Sequence, residues 1–373
     1  MEKGKVIHLT TVHSPFDVRI FHKECKTLAK AGYEVFLIAQ HDREEVVAGV
    51  HIIPLPKLRK RLYRLLFLPI RVLSVALKIK ASIYHFHDPE LIPIGLILKL
   101  LDKKVIYDVH EDVSEQIMSK AYIPKSFKKM ISLGFNLIEK NLARFFDYVI
   151  TTTDFIKSKF SKYNRKVIDI KNYILKEYIK NTTNKLSELN DFILIFAGGI
   201  YKERGILEGV KACNIIRETP VRFLLFGEID PTYYSEIKNI DTLGRMDYKG
   251  ILPYEKVLVE ITKADIGFIC DYPLKRHMKG LPVKLFEYMA AGLPVIASNF
   301  PLWKEIVEGN NCGICVNPLD PEEIAEAIRY LIEHPDEARK MGENGRRAVL
   351  EKYNWEKESE KLLRLYEELL NDK

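Results

Sequence analysis

The chain lacks hydrophobic runs long enough to cross a bilayer: uncharged apolar stretches such as residues 91–98 fall far below the ~18 residues that a spanning helix requires. Its first residues, Met1-Glu2-Lys3-Gly4-Lys5, lead into a short apolar run at 6–9 and show neither the h-region nor the small-residue cleavage site of a secretion signal. Cysteine is scarce. The five (Cys25, Cys213, Cys270, Cys312, Cys315) are scattered and odd in number, which excludes a disulfide scaffold and fits reduced thiols. The expectation is a cytoplasmic protein, attached if at all only peripherally at the inner face of the plasma membrane. Cys312 and Cys315 have metal-ligand spacing, but no second cysteine pair or paired histidine follows, so they read as core thiols and no metal is expected. Low-complexity tracts and internal repeats are also missing, which argues against disorder, solenoids and propellers.

What is present points to two well-packed domains. The 373 residues exceed the ~250–300 at which one core stops growing, and a content of 47% apolar and 29% charged residues is ordinary for a globular protein. In the first half, β-branched or aromatic runs at 6–10, 34–39, 82–86, 104–108 and 148–152 alternate with helical patterns at 20–30, 61–80, 90–101 and 127–146. Strand then helix, repeated, predicts a parallel doubly wound sheet. A stretch rich in Lys, Asn and Thr at 171–191 reads as a linker. Beyond it come strands at 192–197, 221–226, 264–269, 294–297 and 313–316, with helices near 205–218, 254–262, 282–291 and 321–333. The fold class is therefore α/β, with Rossmann-like domains over 1–175 and 190–352. A last helix at 355–370 carries Leu362, Leu363, Tyr366 and Leu369 as a stripe that needs a surface to cover it.

Two constellations carry chemistry. Strand 192–197 breaks at Gly198 and Gly199, and the chain re-enters a helix after Lys202-Glu-Arg204-Gly205. Glycines let backbone amides approach a phosphate, a helix N-terminus favours an anion there, and Arg204 would clamp a diphosphate; the other reading is a plain tight turn. The second is Lys279-Gly280-Leu281-Pro282-Val-Lys-Leu-Phe-Glu287, where Pro282 suits a first helical turn. Glu287 lies between Phe286 and Tyr288, as a solvated carboxylate or as an acceptor for ribose hydroxyls.

The stretch 282–298, followed by Glu305-Ile-Val and Gly313-Ile-Cys-Val-Asn-Pro, resembles the donor-site region of retaining glycosyltransferases of family 4, which have the GT-B fold. Three further motifs occur in the expected order. His13-Ser-Pro-Phe-Asp17-Val-Arg19 resembles the opening loop and first helix of bacterial members, and Tyr107-Asp-Val-His110-Glu111-Asp112 resembles the loop that leads into their fourth helix. Tyr353-Asn354-Trp355 resembles the start of the helix that returns to the first domain, so 353–373 is assigned there.

The resemblance implies that Glu287 binds the donor ribose, that Arg204 meets the diphosphate, and that Arg245 and Tyr248 lie near the base. It also implies catalytic roles for His110 and Glu111 close to the transferred sugar, and an acceptor side at His13, Asp17 and Arg19. Lys279 stands where relatives carry a glutamate that contacts the sugar, and Ile200 where they carry an arginine. Lys279 is therefore expected to pair with phosphate. The implied reaction is retaining transfer from a nucleotide diphosphate sugar to a glycan or lipid-linked hydroxyl in cell-surface polysaccharide biosynthesis, with no cofactor. A nucleotide-sugar epimerase and a catalytically weak partner subunit, the latter motivated by Lys279, are the alternatives.

Charge is unevenly distributed. Residues 1–190 hold 33 Lys and Arg against 20 Asp and Glu, whereas the rest holds 25 against 31, so the first half suits an anionic partner. Lys57, Arg64, Arg71 and Lys78 recur every seven residues beside Leu65, Leu66, Phe67 and Ile70, and Pro69 is expected to kink or restart the helix. With Lys125, Lys128 and Lys129, these residues predict contact with anionic membrane; a Rossmann helix with a solvated basic face is the plainer reading. Nucleic acid is not expected, because no aromatic stacking platform accompanies the charge.

Overall fold

The computed structural model describes residues 3–58, 60–119, 124–179 and 192–372. The chain divides into two compact units, one of residues 1–172 with 355–373, the other of residues 173–354. The later part of the linker, 180–191, lies outside the described residues, as do the side chains of Leu62 and Lys125.

The first unit is built on eight strands: β1 (Lys5–Leu9), β2 (Glu34–Gln40), β3 (Glu45–Val47), β4 (Val50–Leu55), β5 (Ile83–Phe86), β6 (Lys104–Val109), β7 (Tyr148–Thr151) and β8 (Val167–Asp169). Their order is β3-β4-β2-β1-β5-β6-β7-β8, and every pairing but β3–β4 is parallel. The order reverses between β1 and β5, the place in an open α/β sheet where ligands gather beyond the strand ends. Side chains alternate across a strand. Ile7, Leu9, Tyr84, Phe86, Tyr107 and Val109 enter an apolar core on one face, so the residues between them, His8, His85 and Asp108, belong to the other face.

β4 contains Pro54, which local patterning reads against a strand. The register explains it: β3 pairs with β4 only from Val50 to Ile52, so Pro54 lies where that neighbour has ended and no ladder bond is lost. The helix Arg61–Ile79 runs through Pro69 without the expected restart. The helix expected at 20–30 begins earlier, as a π-helix over Val18–Cys25 that continues as α-helix over Lys26–Lys30; it is capped by Asp17, whose carboxylate accepts from the amides of Arg19 and Ile20.

The second unit has six strands, β9 (Phe192–Ala197), β10 (Val221–Phe226), β11 (Met246–Tyr248), β12 (Ile266–Ile269), β13 (Val295–Ser298) and β14 (Gly313–Val316). Their order is β11-β10-β9-β12-β13-β14, all parallel. Apolar side chains cover both faces, which is why these strands read as unbroken hydrophobic runs. Here the order reverses at β9.

The last helix, Trp355–Asn371, belongs to the first unit. It buries Trp355, Leu362, Leu365, Tyr366 and Leu369, with Leu365 in place of the expected Leu363. Trp355 Nε1 donates to Thr27 Oγ1 at 2.9 Å, and Glu358 accepts from the Lys171 amide at 2.8 Å.

Candidate functional site

In the second unit the chemistry collects beyond the carboxyl end of β9. Gly198 has φ +135°, and a Cβ there would lie 2.9 Å from Lys284 Nζ. Gly205 has φ +66°, and its Cβ would lie 2.1 Å from the Cys270 carbonyl oxygen, so only glycine lets this turn pass the neighbouring strand. The turn carries Arg204, whose guanidinium is ion-paired with the buried Asp271. Lys284, second residue of the helix Val283–Ala291, sits 3.8 Å from the centre of the Phe196 ring. Burial and then the nearby Arg204 cation lower its pKa to about 7, with Asp271 and Glu287 opposing. Glu287, one turn further along that helix and 8% exposed, accepts from the Tyr254 hydroxyl at 2.7 Å. Two glycines, two cations and a carboxylate thus converge at the reversal point of the sheet.

The other donor-side residues are placed as follows. The Tyr248 hydroxyl donates to the Gly227 carbonyl at 2.9 Å, and a Cβ on Gly227 would lie 1.9 Å from the Gly198 oxygen, so Tyr248 belongs to the same neighbourhood. Gly199 rests against the Tyr201 ring. The Gly280 carbonyl accepts from Trp303 Nε1 at 2.9 Å, which fixes the loop through Leu281 to Pro282, the N-cap of the helix. Lys279, half-buried, caps the short helix Lys275–Met278. Arg245 is not brought to this group. Its guanidinium donates to the carbonyls of Ile216 and Val221 at the amino end of β10, because it directly precedes β11 and parallel pairing sends it away from the strand tips. The sequence reading passed over Lys284; its three-residue offset from Glu287 put both on one helical face, but its burial was not legible.

In the first unit the polar face of the sheet bears a chain of histidines and carboxylates. His8 and His85 are register partners on β1 and β5. His8 Nδ1 lies 3.0 Å from His87 Nε2, and His87 Nδ1 lies 3.2 Å from Asp108 Oδ2 and 3.1 Å from His110 Nε2. His110 Nε2 is in turn 3.0 Å from Asp108 Oδ2, and its ring is the partly exposed end of the chain. Burial drives His8 and His85 well below the usual histidine range and His87 to about 4. Burial and the neighbouring Asp108 push Glu24 well up; Asp108 itself, against the cost of burial, is held well down by Arg19 and His110.

Arg19, assigned to the acceptor side, is turned inward. It makes a bidentate pair with Asp108 at 3.0 Å and donates to the Ile170 carbonyl at 3.0 Å, leaving it 3% exposed, so it positions Asp108. His13 is the outward member. Its ring stands 3.5 Å from both Asp17 and Asp88, whose charges raise its pKa against burial. Burial works against Asp17 too, yet the His13 contact holds it below the usual carboxylate range. Asp88 gathers Thr10 Oγ1 at 2.9 Å and the Thr11 amide at 2.5 Å. Glu111 is exposed and accepts from the Gln116 side chain. His8, Glu24, His85 and His87 were not singled out from sequence, although His85-Phe86-His87 has the two-residue period that puts both rings on one face.

The proposed membrane residues divide. Arg64 is drawn 3.4 Å from Glu90 and Lys57 2.6 Å from Asp42, so the four-membered cation row is not free as a whole. Arg71, Lys78 and Lys129 are exposed, and Lys128 donates to the Met118 carbonyl at 3.2 Å. Beside them, Tyr63, Leu66, Phe67 and Ile70 on one helix, and Phe127, Met130, Leu133, Leu137 and Ile138 on the helix Lys125–Ala143, face outward. Among the described residues no helix is long and apolar enough to cross a membrane.

Comparison with known proteins gives this arrangement a class. Residues 17–172 match the family described as Glycosyltransferase Family 4, and residues 179–348 that described as Glycosyl transferases group 1. The two matches together take in most of the chain, which belongs to the glycosyltransferases of the family 4 type. A capsular polysaccharide biosynthesis glycosyltransferase of Staphylococcus aureus, CapM, is 24% identical over 405 aligned positions, covering 100% of this chain and 99% of its own. Other curated relatives match more locally, and the chain spans about half of their length, 46% and 48% in two cases. Among solved structures, the fold matches a sucrose-phosphate synthase of Thermosynechococcus elongatus with TM-score 0.79 and 18% identity, over 99% of this chain and 100% of that one. It also matches Anabaena HepE in complex with UDP-glucose, with TM-score 0.75 and 14% identity, over 98% and 100%. The fold is GT-B.

Proposed function

We propose that this protein is a retaining glycosyltransferase that moves a sugar from a nucleoside diphosphate sugar to a hydroxyl of a glycan or lipid-linked acceptor in cell-surface polysaccharide biosynthesis. The observation that carries the reading is the convergence of Arg204, Lys284 and Glu287 on the Gly198–Gly199 turn. Breaking the anomeric C–O bond leaves its electron pair on the departing diphosphate, and fixed cations stabilise that developing charge in a site shielded from water. Arg204 and Lys284, joined by Lys279, supply them; Glu287 accepts from the ribose hydroxyls and Tyr248 lines the base region. On the first unit we assign His110, fixed by Asp108 and His87, to the transferred sugar, together with Glu111, and we assign His13 and Asp17 to the acceptor. The name of the Staphylococcus relative supports the polysaccharide assignment, and the UDP-glucose bound to HepE supports the donor class.

The test is a panel of UDP-, GDP-, ADP- and dTDP-sugars scored by melting temperature and then by transfer to added acceptor. One donor should raise the melting temperature of the native chain. Arg204→Ala should weaken its use about 10- to 100-fold, the loss of a charge-assisted contact. Unchanged turnover in that variant would remove Arg204 from the phosphate site, and turnover without acceptor would favour the epimerase.

A second reading concerns location. The outward apolar side chains on Arg61–Ile79 and Lys125–Ala143, with Arg71, Lys78 and Lys129 close by in sequence, support docking of the first unit on an anionic bilayer, where a lipid-linked acceptor resides.

A further inference from the structure

We propose that His8, His85, His87 and Glu24 form a closed, structural zinc site inside the first unit. All four are fully buried, and each offers a ligand atom within 4.8 Å of the others. His8 Nδ1, His87 Nε2 and Glu24 Oε2 form a triangle with sides of 3.0, 3.8 and 3.9 Å. A tetrahedral zinc with bonds of about 2.0–2.2 Å sets its ligands roughly 3.3–3.5 Å apart, so the triangle brackets the required size. His85 closes the fourth corner. Its Nε2 and Glu24 Oε2 are buried and make no hydrogen bond among the described residues, a costly arrangement unless something binds there.

The outer contacts fit the same reading. A zinc-bound histidine directs its second ring nitrogen to a carboxylate or hydroxyl, which sets the tautomer and leaves the first nitrogen to the metal. The Tyr366 hydroxyl lies 2.8 Å from His85 Nδ1 and 3.1 Å from His8 Nε2. Asp108 Oδ2 lies 3.2 Å from His87 Nδ1, and Arg19 Nε stands 3.1 Å from Glu24 Oε1, leaving Oε2 for the ion. Three side chains thus hold the four ligands from behind: Tyr366 backs both His8 and His85, Asp108 backs His87, and Arg19 backs Glu24. Glu24 itself is delivered by the π-helix Val18–Cys25, a rare local form that recurs at functional positions. Three imidazoles and one carboxylate suit zinc and disfavour calcium or magnesium. With four protein ligands and no exposed position, the ion has a structural role: it fixes His87, and His87 with Asp108 fixes His110. The inference stands independently of the donor reading, since it is tested without substrate.

The experiment is elemental analysis of the purified, tag-free full chain, followed by chelation and reconstitution with cobalt(II) as a spectroscopic probe. Expected are about one zinc per chain, a fall in melting temperature on chelation, and the intense visible absorption of tetrahedral cobalt on reconstitution. Tyr366→Phe, which keeps the ring, should weaken zinc binding about 10- to 100-fold; Glu24→Gln should abolish the tetrahedral cobalt spectrum, and His110→Ala should leave it intact. Protein that is free of zinc and whose melting temperature does not respond to added zinc or chelator would overturn the proposal, leaving a hydrogen-bonded histidine chain. So would a cobalt spectrum that survives Glu24→Gln and disappears in His110→Ala, since the ion would then sit on His87, Asp108 and His110. If Glu24→Gln does not fold, the metal content of the native chain and the Tyr366→Phe affinity decide.

Discussion

Lys284 shows how one half-buried cation can couple a site to pH. Burial and Arg204 bring its pKa from 10.5 down to about 7 in the folded chain. The unfolded chain therefore binds more protons than the folded one between these values, so stability gains from this residue as pH rises from about 7 to 10.5, and the cost of holding the desolvated ammonium is fully felt below 7. A diphosphate beside it reverses the balance by favouring the ammonium. Donor binding above pH 7 should take up a proton, seen as a buffer-dependent enthalpy in calorimetry at pH 8, and donor affinity should fall as pH rises past 7. Lys284→Met should bind weakly at every pH with no buffer dependence. An enthalpy equal in all buffers would show that Lys284 does not meet the donor. The sequence made Arg204 and Glu287 legible because they sit in recognisable punctuation, a glycine turn and a proline-started helix. Lys284 was hidden because its role comes from what covers it.

At the scale of the element, periodicity told most. Long two-sided strands and amphipathic helices were legible from spacing alone, while β3, β8 and β11 are three residues each and offer no period to read. Helices such as Pro231–Ile240 and Pro335–Glu351 were overlooked because polar residues dominate their exposed faces. The histidine ladder needed more than local pattern. That β1 and β5 are neighbours is a property of the sheet order, and no window of residues contains it. The outward face of Lys125–Ala143 yields its own prediction. At about 1 kcal/mol per cation near an anionic surface, Arg71→Gln, Lys78→Gln and Lys129→Gln together should weaken co-sedimentation with phosphatidylglycerol vesicles by about two orders of magnitude. Leu133→Asp with Leu137→Asp should do the same on neutral and anionic vesicles alike. Binding that ignores both sets would leave the apolar side chains of this helix without a lipid partner.

In the molecule as a whole, the first unit is closed by residues from the far end of the chain. Trp355 is buried and bonded to Thr27, and Tyr366 reaches both His8 and His85. Trp355→Ala should cost about 3–5 kcal/mol through the cavity it leaves, read as a lower melting temperature, whereas an exposed change on the same helix, Arg364→Ala, should shift it little. Equal effects would mean that the helix is only loosely held. Because residues 173–354 are spliced into the first unit as an insert, biosynthesis runs against the order of the sequence. The half whose strands emerge first must wait, its histidines uncovered, until the inserted half has been translated and residue 366 has left the ribosome, so the half made second is the one free to mature first.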